Sequence, residues 1–115
     1  MGYKFFIGIF LFIVTHILVW FGTNLQLVER FNSLNTLLLT IVLAIPTSLC
    51  GYYGTRLIYD SLQDSLWAVR FVAFGVSYFV FPILTWALLG ESMFTVKTMT
   101  CIFLSLVIVA IQVFL

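Results

Sequence analysis

Four long apolar runs, separated only by short clusters of charge, decide what this chain can become. The charged residues fall at Lys4, at Glu29 and Arg30, at Arg56, Asp60, Asp64 and Arg70, and at Glu91 and Lys97. Between those clusters lie Phe5 to Thr23, Leu34 to Tyr53, Leu66 to Leu89 and Thr95 to Leu115, with Arg70 and Lys97 each near the start of its run. Each run is close to the ~20 residues that a helix rising ~1.5 Å per residue needs to cross ~30 Å of hydrocarbon. Composition removes the aqueous alternative, because a chain of 115 residues that is 63% hydrophobic and 8% charged cannot hide its apolar surface inside itself. The sequence therefore predicts an all-α protein, a single integral membrane domain over 1–115 with transmembrane helices at roughly 5–23, 34–54, 66–89 and 95–115. Its connections are so short that neighbours must run antiparallel, as an up-and-down four-helix bundle.

Lys4 ahead of an apolar run looks like a secretory leader. The run is longer than a usual leader core and Thr23-Asn24-Leu25-Gln26 offers no small-x-small cleavage site, so a retained helix is expected. Cys50 and Cys101 lie inside apolar runs with no CxxC spacing, which suits small packing residues better than a disulfide or a metal site. No nucleophile with a base, no ligand spacing and no phosphate loop is present, so neither an enzyme nor a cofactor or metal is expected, and no nucleic-acid partner. Orientation is weakly specified: Lys4, Arg56 and Arg70 fall on one face, Arg30 and Lys97 on the other. A single orientation with a cytoplasmic N-terminus and a dual insertion of antiparallel copies both remain open.

His16, the deepest ionisable group, sits mid-way along the first run. A polar group in hydrocarbon costs several kcal/mol unless something solvates it, which makes such a residue a candidate for function. Phe12, His16, Val19, Trp20 and Thr23 share one helix face, so an imidazole, an indole and a hydroxyl lie together. Imidazole is the side chain that exchanges a proton near neutral pH, and a proton-handling role follows; a ring satisfied by a neighbouring hydroxyl or carbonyl is the plain alternative. Arg70, about one turn inside the third helix, either snorkels to the headgroups, pairs with Asp64 or Asp60, or meets an anionic group of a ligand.

Pro46 and Pro82 each remove a backbone donor and crowd the carbonyl four residues earlier, at Val42 and Tyr78, so bends are expected there. Small residues accompany them: Ala44, Ser48, Gly51 and Gly54 on helix two, Ala73, Gly75 and Ser77 on helix three. Such residues let backbones approach in lipid, either within one chain or between two copies. Four helices leave little room for a central cavity, so a path across the membrane would form between copies.

Three segments carry a family resemblance: the Gly51-Tyr52-Tyr53-Gly54-Thr55 helix end, the polar turn from Asp60 to Ser65, and Thr85-Trp86-Ala87-Leu88-Leu89-Gly90-Glu91-Ser92 before a last helix after Phe94-Thr95. With these marks the chain from Leu37 onward resembles the drug/metabolite transporter superfamily, and its length and helix count resemble the small multidrug resistance branch. The resemblance implies a homodimer, often antiparallel, in a bacterial inner membrane, exporting cationic or guanidinium compounds in exchange for protons. It places Phe74-Gly75-Val76-Ser77 at the glycine-rich stretch of that family's third helix. His16, Trp20, Arg70, Phe74, Ser77 and Tyr78 are then the pathway candidates, and Pro46, Gly51, Gly54, Gly75 and Pro82 the packing and hinge positions.

The family's membrane-embedded glutamate has no counterpart here, since no carboxylate occurs between Met1 and Val28. His16 is the nearest substitute, and it cannot attract a cation as a carboxylate does. Two functions are expected on these grounds. One is a small-solute transporter with its path at a dimer interface, proton-coupled through His16. The other is a non-transporting accessory or assembly subunit, suggested by the missing carboxylate and the 13 phenylalanines.

Overall fold

The structure, a computed structural model, describes residues 2–28 and 35–114. The expected start of the second helix at Leu34, the Glu29 and Arg30 pair and the terminal Leu115 lie outside the described residues. Among the described residues there are four α-helices, α1 Tyr3–Asn24, α2 Thr36–Ser61, α3 Leu66–Leu89 and α4 Val96–Phe114, with a short 3-10 turn at Leu25–Leu27 after α1. They hold 22, 26, 24 and 19 residues, which at ~1.5 Å per residue gives lengths of roughly 29 to 39 Å. All four are apolar enough to span, with mean hydropathies of 2.4, 1.6, 1.9 and 2.1 over their best windows. The chain is a multi-pass membrane protein.

Polar side chains set the helix starts. Asn35 accepts a hydrogen bond from the Leu38 N–H at 3.0 Å and Ser65 accepts one from Ala68 at 3.2 Å, each satisfying a donor that the first turn leaves free. Gly90 closes α3 at φ 74°, a left-handed conformation that glycine adopts without a Cβ clash, and its N–H returns to the Trp86 carbonyl. Between α2 and α3 the chain reverses through Gln63 and Asp64, which sit at φ 58° and 57°.

The second helix departs from its expected end near Tyr53 and Gly54 by running unbroken to Ser61. Gly51 and Gly54 are interior helix residues, not a stop. Arg56 and Asp60 lie one turn apart on that helix, with Arg56 Nε 3.3 Å from the Asp60 carboxylate, so the polar cluster extends the helix instead of breaking it. Pro46 and Pro82 both sit within continuous helix.

Glycine explains how α1 and α2 meet. A Cβ at Gly8 would lie 2.6 Å from Ile58 Cδ1, one at Gly54 would lie 2.9 Å from the Phe12 ring, and one at Gly51 would come to 3.9 Å from Thr15. Further along, the Thr40 hydroxyl donates to the Gly22 carbonyl. Ascending positions on α1 meet descending positions on α2, so this pair is antiparallel and in close backbone contact. On the far side of α1, Phe12 packs with Val69, Val72 and Val76, while Trp20 reaches Thr85. Those ascending pairs make α1 and α3 parallel neighbours. A Cβ at Gly75 would lie 2.7 Å from Val109 Cγ2, which marks the approach of α4 to α3.

The spatial order is thus α2, α1, α3, α4, and the helices alternate in direction along the chain. They spread as a layer of 46 × 36 × 19 Å instead of closing round a common axis. The bundle expected from the short connections therefore opens into a slab, because α2 and α3, although consecutive, touch little and α1 lies between them. Phe12, Ile58, Val69, Val72, Val76 and Val80 form the main core. Ile58 is fully buried within it. Gly54 and Gly75 are used for packing inside the chain, whereas Ala44 and Ser48 remain exposed on the outer side of α2.

Candidate functional site

Three separate cavities lie beside α3, sharing some lining residues, and are together termed the furrow. Its first part, about 670 Å³, lies where α1, α2 and the beginning of α3 converge, and is lined by Thr15, His16, Thr55, Trp67 and Arg70 among others. A second part of about 460 Å³ lies between α1 and the middle of α3, at His16, Trp20, Thr23, Phe74, Ser77 and Tyr78. A third, about 170 Å³, lies between α3 and α4 and includes Tyr78, Phe81, Thr85 and Glu91. His16 is common to the first two, and Tyr78 and Phe81 to the second and third.

His16 is half-buried and its Nδ1 lies 2.8 Å from the Phe12 carbonyl oxygen. A carbonyl can only accept, so Nδ1 carries the proton and the neutral ring keeps its lone pair on Nε2. Among the described residues Nε2 has no partner, and none of their fully buried side-chain polar atoms lacks one, so Nε2 is reachable from the furrow. The ring therefore has one nitrogen satisfied by its own helix and the other available. The satisfied nitrogen matches the plain reading of His16, a ring held by a neighbouring carbonyl.

Trp20 plays a different part from the one expected of a pathway residue. It is 2% exposed, and its indole N–H donates to the Thr85 hydroxyl at 3.0 Å. That buried bond ties α1 to α3 and fixes the spacing of the furrow's walls. Phe74 and Tyr78 stand on the facing helix with ring centroids 5.0 Å apart, and the Ser77 hydroxyl donates to the Phe74 carbonyl at 2.6 Å. Five of the six expected pathway residues thus line one cavity. Arg70 joins them through its neighbour, since His16 belongs to both parts.

Arg70 makes no ion pair among the described residues, and the expected pairing with Asp60 or Asp64 is not formed. Asp60 is engaged by Arg56 on its own helix, and Asp64 sits at the left-handed turn before α3. Sequence reasoning passed over Thr15, Thr55 and Thr85, all of which line the furrow. Thr15 was silent for a physical reason: its hydroxyl bonds the Leu11 carbonyl one turn back at 2.7 Å, the usual way a helical threonine satisfies itself in lipid. The face of α1 carrying His16 contained the only available signal, because Phe12 and His16 imply Thr15 at the groove's edge. Cys50 and Cys101 are free thiols on different helices.

No protein-family model matches this chain, and neither a curated protein nor a solved structure does.

Proposed function

We propose that this protein is a small transporter of the drug/metabolite type, a homodimer in a bacterial inner membrane that moves a small solute along the α3 furrow. The observation that carries the reading is the series of three cavities along α3, neighbours sharing His16 and then Tyr78 and Phe81, with linings that reach from Arg70 to Glu91. Those two residues lie near opposite ends of a helix long enough to span. A packing-only role for α3 gives no reason for polar atoms to recur along the same side. The furrow is open laterally, and a second copy laid over it would supply the missing wall.

In this reading His16 exchanges the proton that drives transport, since the ring lines two of the cavities and its Nε2 has no partner among the described residues while Nδ1 is held by the Phe12 carbonyl. The test is flux of a small-metabolite panel into proteoliposomes across a pH series. His16→Ala is expected to insert and purify normally but to lose the pH-dependent part of the flux. Flux that keeps its pH dependence in H16A would refute the role.

One observation favours a second reading, that of an accessory or assembly subunit. Helix α4 buries only Ser105 among its residues and presents Phe103, Leu104, Ile111 and Phe114 outward, a surface that suits a larger neighbour as well as lipid. The mass of the detergent-extracted complex separates the two. A homodimer supports transport, and stoichiometric unrelated subunits support the accessory role.

A further inference from the structure

Among the described residues, the lining of the first part of the furrow holds one charge, and it is positive. Arg70 lines it together with Thr15, Thr55, His16 and Trp67, and no carboxylate of the described residues is part of the lining. A surface arginine usually finds a carboxylate or is left in water. Here Arg70 has no ion pair among the described residues, and Asp60, on α2, is paired with Arg56. Thr55 is half-buried and its hydroxyl has no hydrogen-bond partner among the described residues, so it is available to donate. Apolar side chains from Phe12, Leu66, Val69 and Ala73 complete the walls.

A guanidinium with five donors, a free hydroxyl donor and no acceptor charge is complementary to a carboxylate or phosphate, and repels a cation. The aromatic and aliphatic walls add a requirement for an apolar body beside that group. We infer that the groove between α1, α2 and the start of α3 binds an amphipathic anion, its carboxylate or phosphate on Arg70 and Thr55 and its apolar part against Trp67 and Phe12. The inference rests on the transport reading only for its consequence, that the solute carried is an organic anion and not a cation. The binding site itself stands without it. The same chemistry is offered by two sources, a soluble organic anion and the headgroup of an anionic lipid.

The experiment uses the full-length protein in nanodiscs and 1-naphthoate as the probe, with 1-naphthamide as its uncharged counterpart. In discs of pure phosphatidylcholine the wild type is expected to bind naphthoate saturably and the amide at least about tenfold more weakly. Arg70→Gln should weaken naphthoate by at least about tenfold, Arg70→Lys by less, and Thr55→Val by a few-fold, with the amide unaffected in each. Because Arg70 is exposed, R70Q is not expected to disturb folding, and its circular dichroism and elution volume check this. Adding phosphatidylglycerol to the discs identifies the source: competition that disappears in R70Q assigns the site to a lipid headgroup, and its absence assigns it to a soluble anion. Equal binding of acid and amide, or binding unchanged by R70Q, overturns the anion site.

Flux in proteoliposomes keeps the two readings apart. Arg70-dependent binding of naphthoate without flux of any solute sustains the site and defeats transport. Flux of neutral or cationic solutes that R70Q leaves intact, with no naphthoate binding, sustains transport and defeats the site.

Discussion

Replacing Gly8 by alanine should force α1 and α2 apart. A Cβ at that position would sit 2.6 Å from Ile58 Cδ1, 2.7 Å from Cγ1 and 3.3 Å from the Ile58 backbone nitrogen. Carbon atoms pack best at about 3.5 to 4.0 Å, so the new methyl is about 1 Å too close to two atoms at once. Ile58 is 0% exposed and cannot swing away, and the backbone nitrogen bars retreat along the helix. The helices must separate, loosening the Gly54 and Phe12 contact one turn away. Overpacking of this kind costs about 1 to 3 kcal/mol. Ile58→Ala removes both offending atoms but leaves a cavity, at about 2 to 5 kcal/mol. In the double variant the methyl enters the space that the isoleucine vacated. The two effects should therefore fall short of additivity by at least about 1 kcal/mol, a coupling that contacting residues commonly show. Reversible unfolding in mixed micelles, titrated with SDS for G8A, I58A and the pair, measures it. Strict additivity would refute the close approach of α1 and α2 at this position.

Two further outcomes follow from the same contacts. Trp20→Phe keeps an aromatic ring but removes the donor to Thr85, and should lower stability by about 1 kcal/mol in the same unfolding assay, with Thr85→Val adding little to it. Arg56→Ala should change stability by less than about 0.5 kcal/mol, because an exposed pair one turn apart contributes little; a loss above about 1.5 kcal/mol would show that the pair is shielded in the membrane.

The four spans were legible because apolar length alone sets the number of crossings, and Leu66–Leu89 was read to the residue. The end of α2 was misread for two physical reasons. Glycine signals a stop in water, but in a membrane helix it also marks where a neighbour comes close, as Gly54 does against Phe12. Arg56 and Asp60 read as loop residues, whereas their spacing lets each neutralise the other on a continuing helix. The lateral order of the helices was not legible. All four are mostly apolar, and the few polar faces do not tell which helix takes the middle place. The candidate site was partly visible: the spacing of Phe12, His16, Trp20 and Thr23 identifies a face of α1 whatever lies opposite. What lay opposite depended on α1 having both α2 and α3 as neighbours, and so Thr55 on α2 and Thr85 on α3 could not be singled out as lining residues.

The slab arrangement bears on how such a protein behaves when diluted in lipid. Cavities that open at the surface of a slab have no inside until something covers them, and in a bilayer the cover is either a lipid chain or another protein surface. If the cover is a second copy, the working unit exists only in proportion to pairing, and pairing is governed by surface density. Activity per molecule would then fall as the lipid-to-protein ratio rises, while a furrow sealed by lipid would be indifferent to that ratio.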